Sequence, residues 1–159
     1  MRSISAREMS VAGEPVNTPQ ELHYRMEIVG AGNKADVVWL RGGQQHQAQV
    51  ALIAPPETPA RETTTITGNV LLRGATISRI NPAVTVEMGL PPDSSGVVVV
   101  SANDLAAQVG LQPGDIIKAI NSTQVHTPAD VPKAVNQNTS LWQFDLVRQG
   151  HHIRMRFRI

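Results

Sequence analysis

Nine serines, five histidines and thirteen acidic residues offer hydroxyls, bases and carboxylates, so their spacing decides whether the chain can do covalent chemistry. Serine catalysis needs a hydroxyl raised on a tight turn, with oxyanion donors beside it. Neither a Gly-x-Ser-x-Gly elbow nor a Gly-Asn-Ser-Gly-Gly loop occurs, and no catalytic residue is expected. His151 and His152 are adjacent, so on a strand they point to opposite faces, and no partner with ligand spacing follows them. Gly30-Ala31-Gly32-Asn33-Lys34 lacks the Gly-x-x-x-x-Gly-Lys-Ser/Thr spacing and follows a helical stretch, whereas a phosphate loop follows a strand. No metal site and no cofactor is implied.

Composition narrows the alternatives further. With 14 Lys+Arg against 13 Asp+Glu, the chain has no global electrostatic reason to bind nucleic acid or an anionic membrane. Stacking partners for bases are scarce, at two Phe, two Trp and one Tyr, and Arg41-Gly42-Gly43 is a single hairpin turn, not a repeated box. The apolar runs, such as Val97 to Val100, fall far short of the ~20 residues that span a bilayer. The N-terminus, MRSISAREMS, has no apolar h-region and does not read as a signal peptide. Zero cysteine excludes disulfides and cysteine zinc sites, and fits the cytosol or an oxidising compartment alike.

An internal repeat organises the elements. Val11-Ala-Gly-Glu-Pro-Val-Asn-Thr-Pro-Gln-Glu-Leu22 aligns with Ile120-Asn-Ser-Thr-Gln-Val-His-Thr-Pro-Ala-Asp-Val131 at a constant offset of 109 positions. Both copies run through a helical stretch into a strand, a Gly turn and a second strand, with residues 38–43 matching 146–150 and residues 47–53 matching 153–159. Thr18-Pro19-Gln20-Glu21 and Thr127-Pro128-Ala129-Asp130 each place a hydroxyl N-cap before a proline, with an acid three residues after the cap. Leu22, Met26 and Val29 recur at helical spacing in the first copy; Val131 and Val135 are the apolar pair of the second, where Pro132 predicts a short or bent helix. In the last strand Ile153, Met155, Phe157 and Ile159 face one way and Arg154, Arg156 and Arg158 the other, a basic strip that reads as a solvated face or edge protection.

Between the copies, residues 55–68 are rich in Pro and Thr and read as an extended, semi-stiff linker. From Asn69 the chain becomes apolar again, and about 50 residues of strand and helix precede the second copy that the first copy lacks. The expected domains are therefore an incomplete half at 1–54, the linker at 55–68 and a whole domain at 69–159. By itself, Leu72-Arg73-Gly74-Ala75 reads as an ordinary strand bend at a glycine.

Gly110-Leu-Gln-Pro-Gly-Asp-Ile-Ile-Lys-Ala-Ile-Asn121 resembles the Gly-Leu-x-x-Gly-Asp-x-Ile-x-x-x-Asn signature of PDZ domains. Leu72-Arg-Gly-Ala-Thr-Ile-Ser78, followed by Ser95-Gly-Val-Val-Val99, is similar to the second PDZ domain of the bacterial HtrA/Do serine proteases, and residues 11–54 resemble the closing half of the preceding PDZ domain. The resemblance implies a mainly β, α+β fold with two short helices, a PDZ-like partly open antiparallel barrel preceded by an incomplete PDZ half. It also implies binding of an extended peptide as an added strand. Leu72, Arg73 and Gly74 would be the carboxylate-binding loop, Ala75, Thr76, Ile77 and Ser78 the edge strand, and Val131 and Val135 the opposite wall. One departure stands out: Asn103-Asp-Leu-Ala-Ala replaces the family's Ser-Pro-Ala-Ala, a change expected to alter the start of that helix and leave the groove intact.

The expected function is that of a non-catalytic peptide-binding region of an HtrA/Do-like serine protease, acting in protein quality control in the periplasm or cell envelope. Its partners would be peptides or unfolded protein segments and the protease domain of the full-length protein. No nucleic acid and no membrane span is expected, and residues 1–54 could pair or exchange strands with a second copy. The rival reading is a stand-alone scaffold, or a secretion or membrane-protease PDZ module.

Overall fold

The computed structural model describes residues 9–159, so most of the segment read for a leader lies outside the described residues. Two compact units divide the chain, Met1–Ala54 and Pro55–Ile159. In the first, β1 (Met9–Val11) and β2 (Glu14–Val16) form a hairpin, α1 (Pro19–Val29) follows, and β3 (Lys34–Arg41) and β4 (Gln44–Ala51) close an antiparallel sheet of order β2-β1-β3-β4. The N-cap works as its residues suggest. Thr18 Oγ1 accepts from the Glu21 N–H at 3.1 Å, and the Glu21 carboxylate accepts from the Asn17 N–H at 2.6 Å. Leu22, Met26 and Val29 pack on Val11, Val16, Ala35 and Val37, which gives this sheet one covered face.

The second unit contains β5 (Thr64–Thr65), β6 (Ala75–Arg79), α2 (Pro82–Glu87), β7 (Val97–Ala102), α3 (Asp104–Gln108), β8 (Ile116–Ile120), β9 (Thr123–Gln124), α4 (Asp130–Val135), β10 (Leu141–Arg148) and β11 (His151–Arg158). Its sheet runs β11-β10-β8-β7-β6-β5, with β9 paired to β8, and stays open. The mainly β, α+β class is as expected. The second unit holds three helices, α2, α3 and α4, where two were expected, because Asn81 caps a further one: its Oδ1 accepts from the Val84 N–H at 2.8 Å, with Pro82 at the first helical position.

The unbroken apolar run from Val97 to Val99 follows from burial on both sides of the sheet, while Val100 is exposed. Val97 and Val99 join the main core, which includes Ile77, Ile117, Phe144, Val131 and Val135, while Val98 packs with Ile80, Val84 and Ile116 beneath α2. Helix α4 is short, as expected, but for a different reason. It begins at Asp130, whose carboxylate accepts from the N–H groups of His126 (3.1 Å) and Thr127 (2.8 Å), so Pro132 falls in the first turn, where a missing N–H costs nothing.

Residues 55–68 are not a free linker but part of the second unit. Ile66 is only 3% exposed and belongs to the main core, β5 pairs with β6, and Asn81 Nδ2 donates to the Pro59 carbonyl at 2.9 Å. The physical reason lies in the Thr63-Thr64-Thr65-Ile66 run, whose β-branched side chains favour a strand once a partner edge is available.

Candidate functional site

Strand β6 lies between β7 and β5, so the residues expected to line a groove can be placed one by one. Leu72, Ala75, Ile77, Ser78, Val131 and Val135 are all buried. Leu72, Ala75, Ile77, Val131 and Val135 belong to one hydrophobic cluster of buried residues. Arg73, Gly74 and Thr76 are partly exposed.

The expectation of a free edge at Ala75 to Ser78 is corrected. Thr64 pairs with Ile77 and Thr65 with Thr76, antiparallel, and the two threonine hydroxyls of the second pair lie 3.0 Å apart. The Arg79 N–H donates to the Arg61 carbonyl at 2.6 Å, the Ile66 N–H donates to the Ala75 carbonyl at 2.8 Å, and the Gly74 N–H donates to the Ile66 carbonyl at 3.0 Å. Ser78 Oγ also donates to the Arg61 carbonyl, at 3.1 Å. The edge is occupied by the chain's own residues.

The loop before β6 is equally engaged. Its N–H groups at Arg73 and Ala75 donate to the carbonyls of Val70 and Leu72, each at 3.0 Å, and Gly74 serves Ile66. The expected nest for a carboxylate is thus filled by peptide carbonyls. Arg73, expected near an anionic ligand, holds Asp104 through Nε at 2.6 Å and Nη2 at 3.2 Å. Hydrogen bonding to that carboxylate raises the guanidinium pKa, and Arg73 in turn holds the Asp104 carboxyl below its usual range. The Asn103-Asp104 departure therefore reaches the groove loop itself, contrary to the expectation that it would leave the groove intact. The Ala106 N–H also donates to the Arg73 carbonyl at 3.0 Å and the Asn103 N–H to the Gly74 carbonyl at 3.1 Å.

Reading along the chain missed Arg61, Thr64, Thr65, Ile66 and Asp104. Arg61 is the anchor of the added strand: Nη1 and Nη2 donate to Glu87 at 2.8 and 2.9 Å, and Nε and Nη2 donate to Glu57. Hydrogen bonds to Glu87 and then Glu57 raise its pKa, and both glutamates are held below the ordinary range by Arg61. A Thr-Thr-Thr-Ile run was the signal available for the strand.

The Gly-Asp step of the signature has a structural task. Asp115 is fully buried and accepts from Arg148 Nε and Nη2, both at 2.7 Å, and from the Gln112 N–H at 2.9 Å. This ties β10 to the turn before β8. Among the described residues no group of three His, Asp or Glu is placed to hold a metal ion, and no helix is long and apolar enough to cross a membrane.

The family model described as PDZ domain matches residues 96–141. A probable periplasmic serine endoprotease, DegP-like, of Brucella suis biovar 1 (strain 1330) is 27% identical over 128 residues, 79% of this chain and 24% of that protein. The periplasmic pH-dependent serine endoprotease DegQ of Escherichia coli (strain K12) is 27% identical over 157 residues, covering 94% of this chain and 31% of that protein. A solved structure, the HtrA-type protease AlgW with decapeptide, superposes with a TM-score of 0.49 at 15% identity over 81% of this chain and 49% of its own. The chain spans about a quarter to a third of the length of these two curated relatives. Their names support a periplasmic location.

Proposed function

We propose, from a chain that carries a PDZ domain and is related to the PDZ part of the HtrA/Do serine endoproteases, that it is the non-catalytic peptide-binding region of such a protease. It takes extended segments of unfolded proteins or their C-termini by strand addition at β6 and offers them to a protease domain elsewhere in the full-length protein, in the service of protein quality control. One observation carries this reading: β6 accepts an antiparallel strand, β5, and Ile66, which follows it directly, buries an aliphatic side chain in the cluster that holds Ile77, Val131 and Val135. Strand addition gains main-chain hydrogen bonds, and the pocket selects the side chain. Burying one such side chain contributes about 1.5–3 kcal/mol before ordering costs, so affinity should be micromolar or weaker. The eight-residue edge strand β4 of the first unit offers a second pairing surface, suited to another copy of the chain.

The test is an NMR titration of the isotope-labelled chain with a peptide ending in a free aliphatic residue. Shifts concentrated in residues 61–79 and 131–135 are expected. Shifts confined to Arg154, Arg156 and Arg158, or none at millimolar peptide, would overturn the reading. The purified chain should also leave unfolded casein intact; cleavage blocked by a serine-directed inhibitor would refute the non-catalytic assignment.

A further inference from the structure

Resting on the reading of β6 as the peptide edge, we infer that residues 61–66 are an internal ligand of that edge, and that an outside segment binds only by exchanging with them. Each place that a bound peptide would use is already filled by this stretch. It runs antiparallel to β6. Its final side chain, Ile66, sits in the hydrophobic cluster with Ile77, Val131 and Val135. The Ile66 carbonyl accepts the Gly74 N–H at 3.0 Å, the position where the terminal carboxylate of a ligand would be received. At the other end, the Arg61 carbonyl takes the Arg79 N–H.

The strand is also built to be replaceable. Its paired length is two residues, Thr64 and Thr65, and both are exposed. Beyond Ile66 and the few hydrogen bonds to β6 and the loop before it, its side-chain hold is the Arg61 guanidinium on Glu57 and Glu87, which are about half exposed. Ion pairs of that kind contribute little, and water competes for them. A competitor faces a tethered rival at high effective concentration, so its apparent affinity is its intrinsic affinity reduced by the fraction of molecules in which the strand is out. Exchange therefore sets a threshold: brief or poorly matched segments fail, and extended β-branched segments carrying Ile or Val at the position of Ile66 succeed. The internal strand supplies the template for that preference.

The chain has no cysteine, which makes a clean lock available. Thr65 and Thr76 face each other across the pair with hydroxyls 3.0 Å apart, so Thr65→Cys with Thr76→Cys can be bridged by oxidation. The probe is a fluorescent peptide of residues 57–66, Glu-Thr-Pro-Ala-Arg-Glu-Thr-Thr-Thr-Ile with a free carboxylate, followed by anisotropy on one double-variant sample before and after reduction. The oxidised form is expected not to bind, and reduction should strengthen binding at least tenfold. Equal binding in both states overturns the internal ligand while leaving β6 as a peptide site elsewhere along its length. Binding in neither state, with none to the unaltered chain, overturns both this inference and the peptide-binding function. In a separate arm, Arg61→Ala should bind the same peptide roughly two- to fivefold more tightly, the size expected for loss of exposed ion pairs. Unchanged or weaker binding in that variant would count against exchange.

Discussion

Gly74 and Asn103 approach so closely that a Cβ on the glycine would lie 2.4 Å from the Asn103 carbonyl oxygen. The glycine also sits at φ +88°, in the region that side chains disfavour. The residue expected to open a nest for an anion instead lets the β6 loop lie against the start of α3, where Asp104 captures Arg73.

Gly74→Ala should consequently destabilise the second unit by about 2–4 kcal/mol, combining overpacking with left-handed strain. Urea denaturation followed by Trp142 fluorescence measures it. A loss under 0.5 kcal/mol, within the range of ordinary surface changes of about that size, would mean that the loop can move away from Asn103.

Arg148→Ala leaves the buried Asp115 carboxylate with only the Gln112 N–H, and a cost of about 3 kcal/mol is expected because an uncompensated charge remains in the core. Combining it with Asp115→Leu should recover a large part of that loss. Thermal melts of both variants decide, and a double variant no more stable than the single would argue against the charge as the cause.

Acid should loosen the internal strand. Glu57 and Glu87 are held below the ordinary carboxylate range by Arg61, so their contribution is fully present above the unfolded glutamate pKa of about 4.3 and is lost as pH falls through the lower folded values. Amide exchange at Thr64 to Ile66, corrected for intrinsic rates, is expected to accelerate relative to β7 below about pH 4. Arg61→Ala should flatten that difference, and a profile identical in the two proteins would show that the latch plays no part.

A chain beginning at residue 69 should be far less stable than one beginning at residue 55, since it loses Ile66 from the core along with β5. Ile66→Ala alone is expected to cost about 2–4 kcal/mol. Adding the 57–66 peptide to the shorter chain should restore part of its melting temperature, and no change at saturating peptide would place the core boundary after residue 69.

What the amino-acid order determined by itself was much of what neighbours within a few residues set, though not the start of α4, which begins at Asp130 behind Ala129 and not behind Thr127. The repeat, the Thr18 cap with Glu21, the Pro19 helix start and the outward alternation of Arg154, Arg156 and Arg158 all depend on local periods and side-chain-to-backbone reach. The grouping of Val131 and Val135 with Ile77 was an expectation of family resemblance and not of spacing; the three share one buried cluster. Only the tertiary structure decided who pairs with whom. Thr64 finds Ile77 across 13 positions, Arg73 finds Asp104 across 31, and Arg148 finds Asp115 across 33. A polar, Pro-rich stretch such as residues 55–68 carries too few apolar residues to announce a strand, and it becomes one because an open edge with unsatisfied N–H and C=O groups lies within its reach.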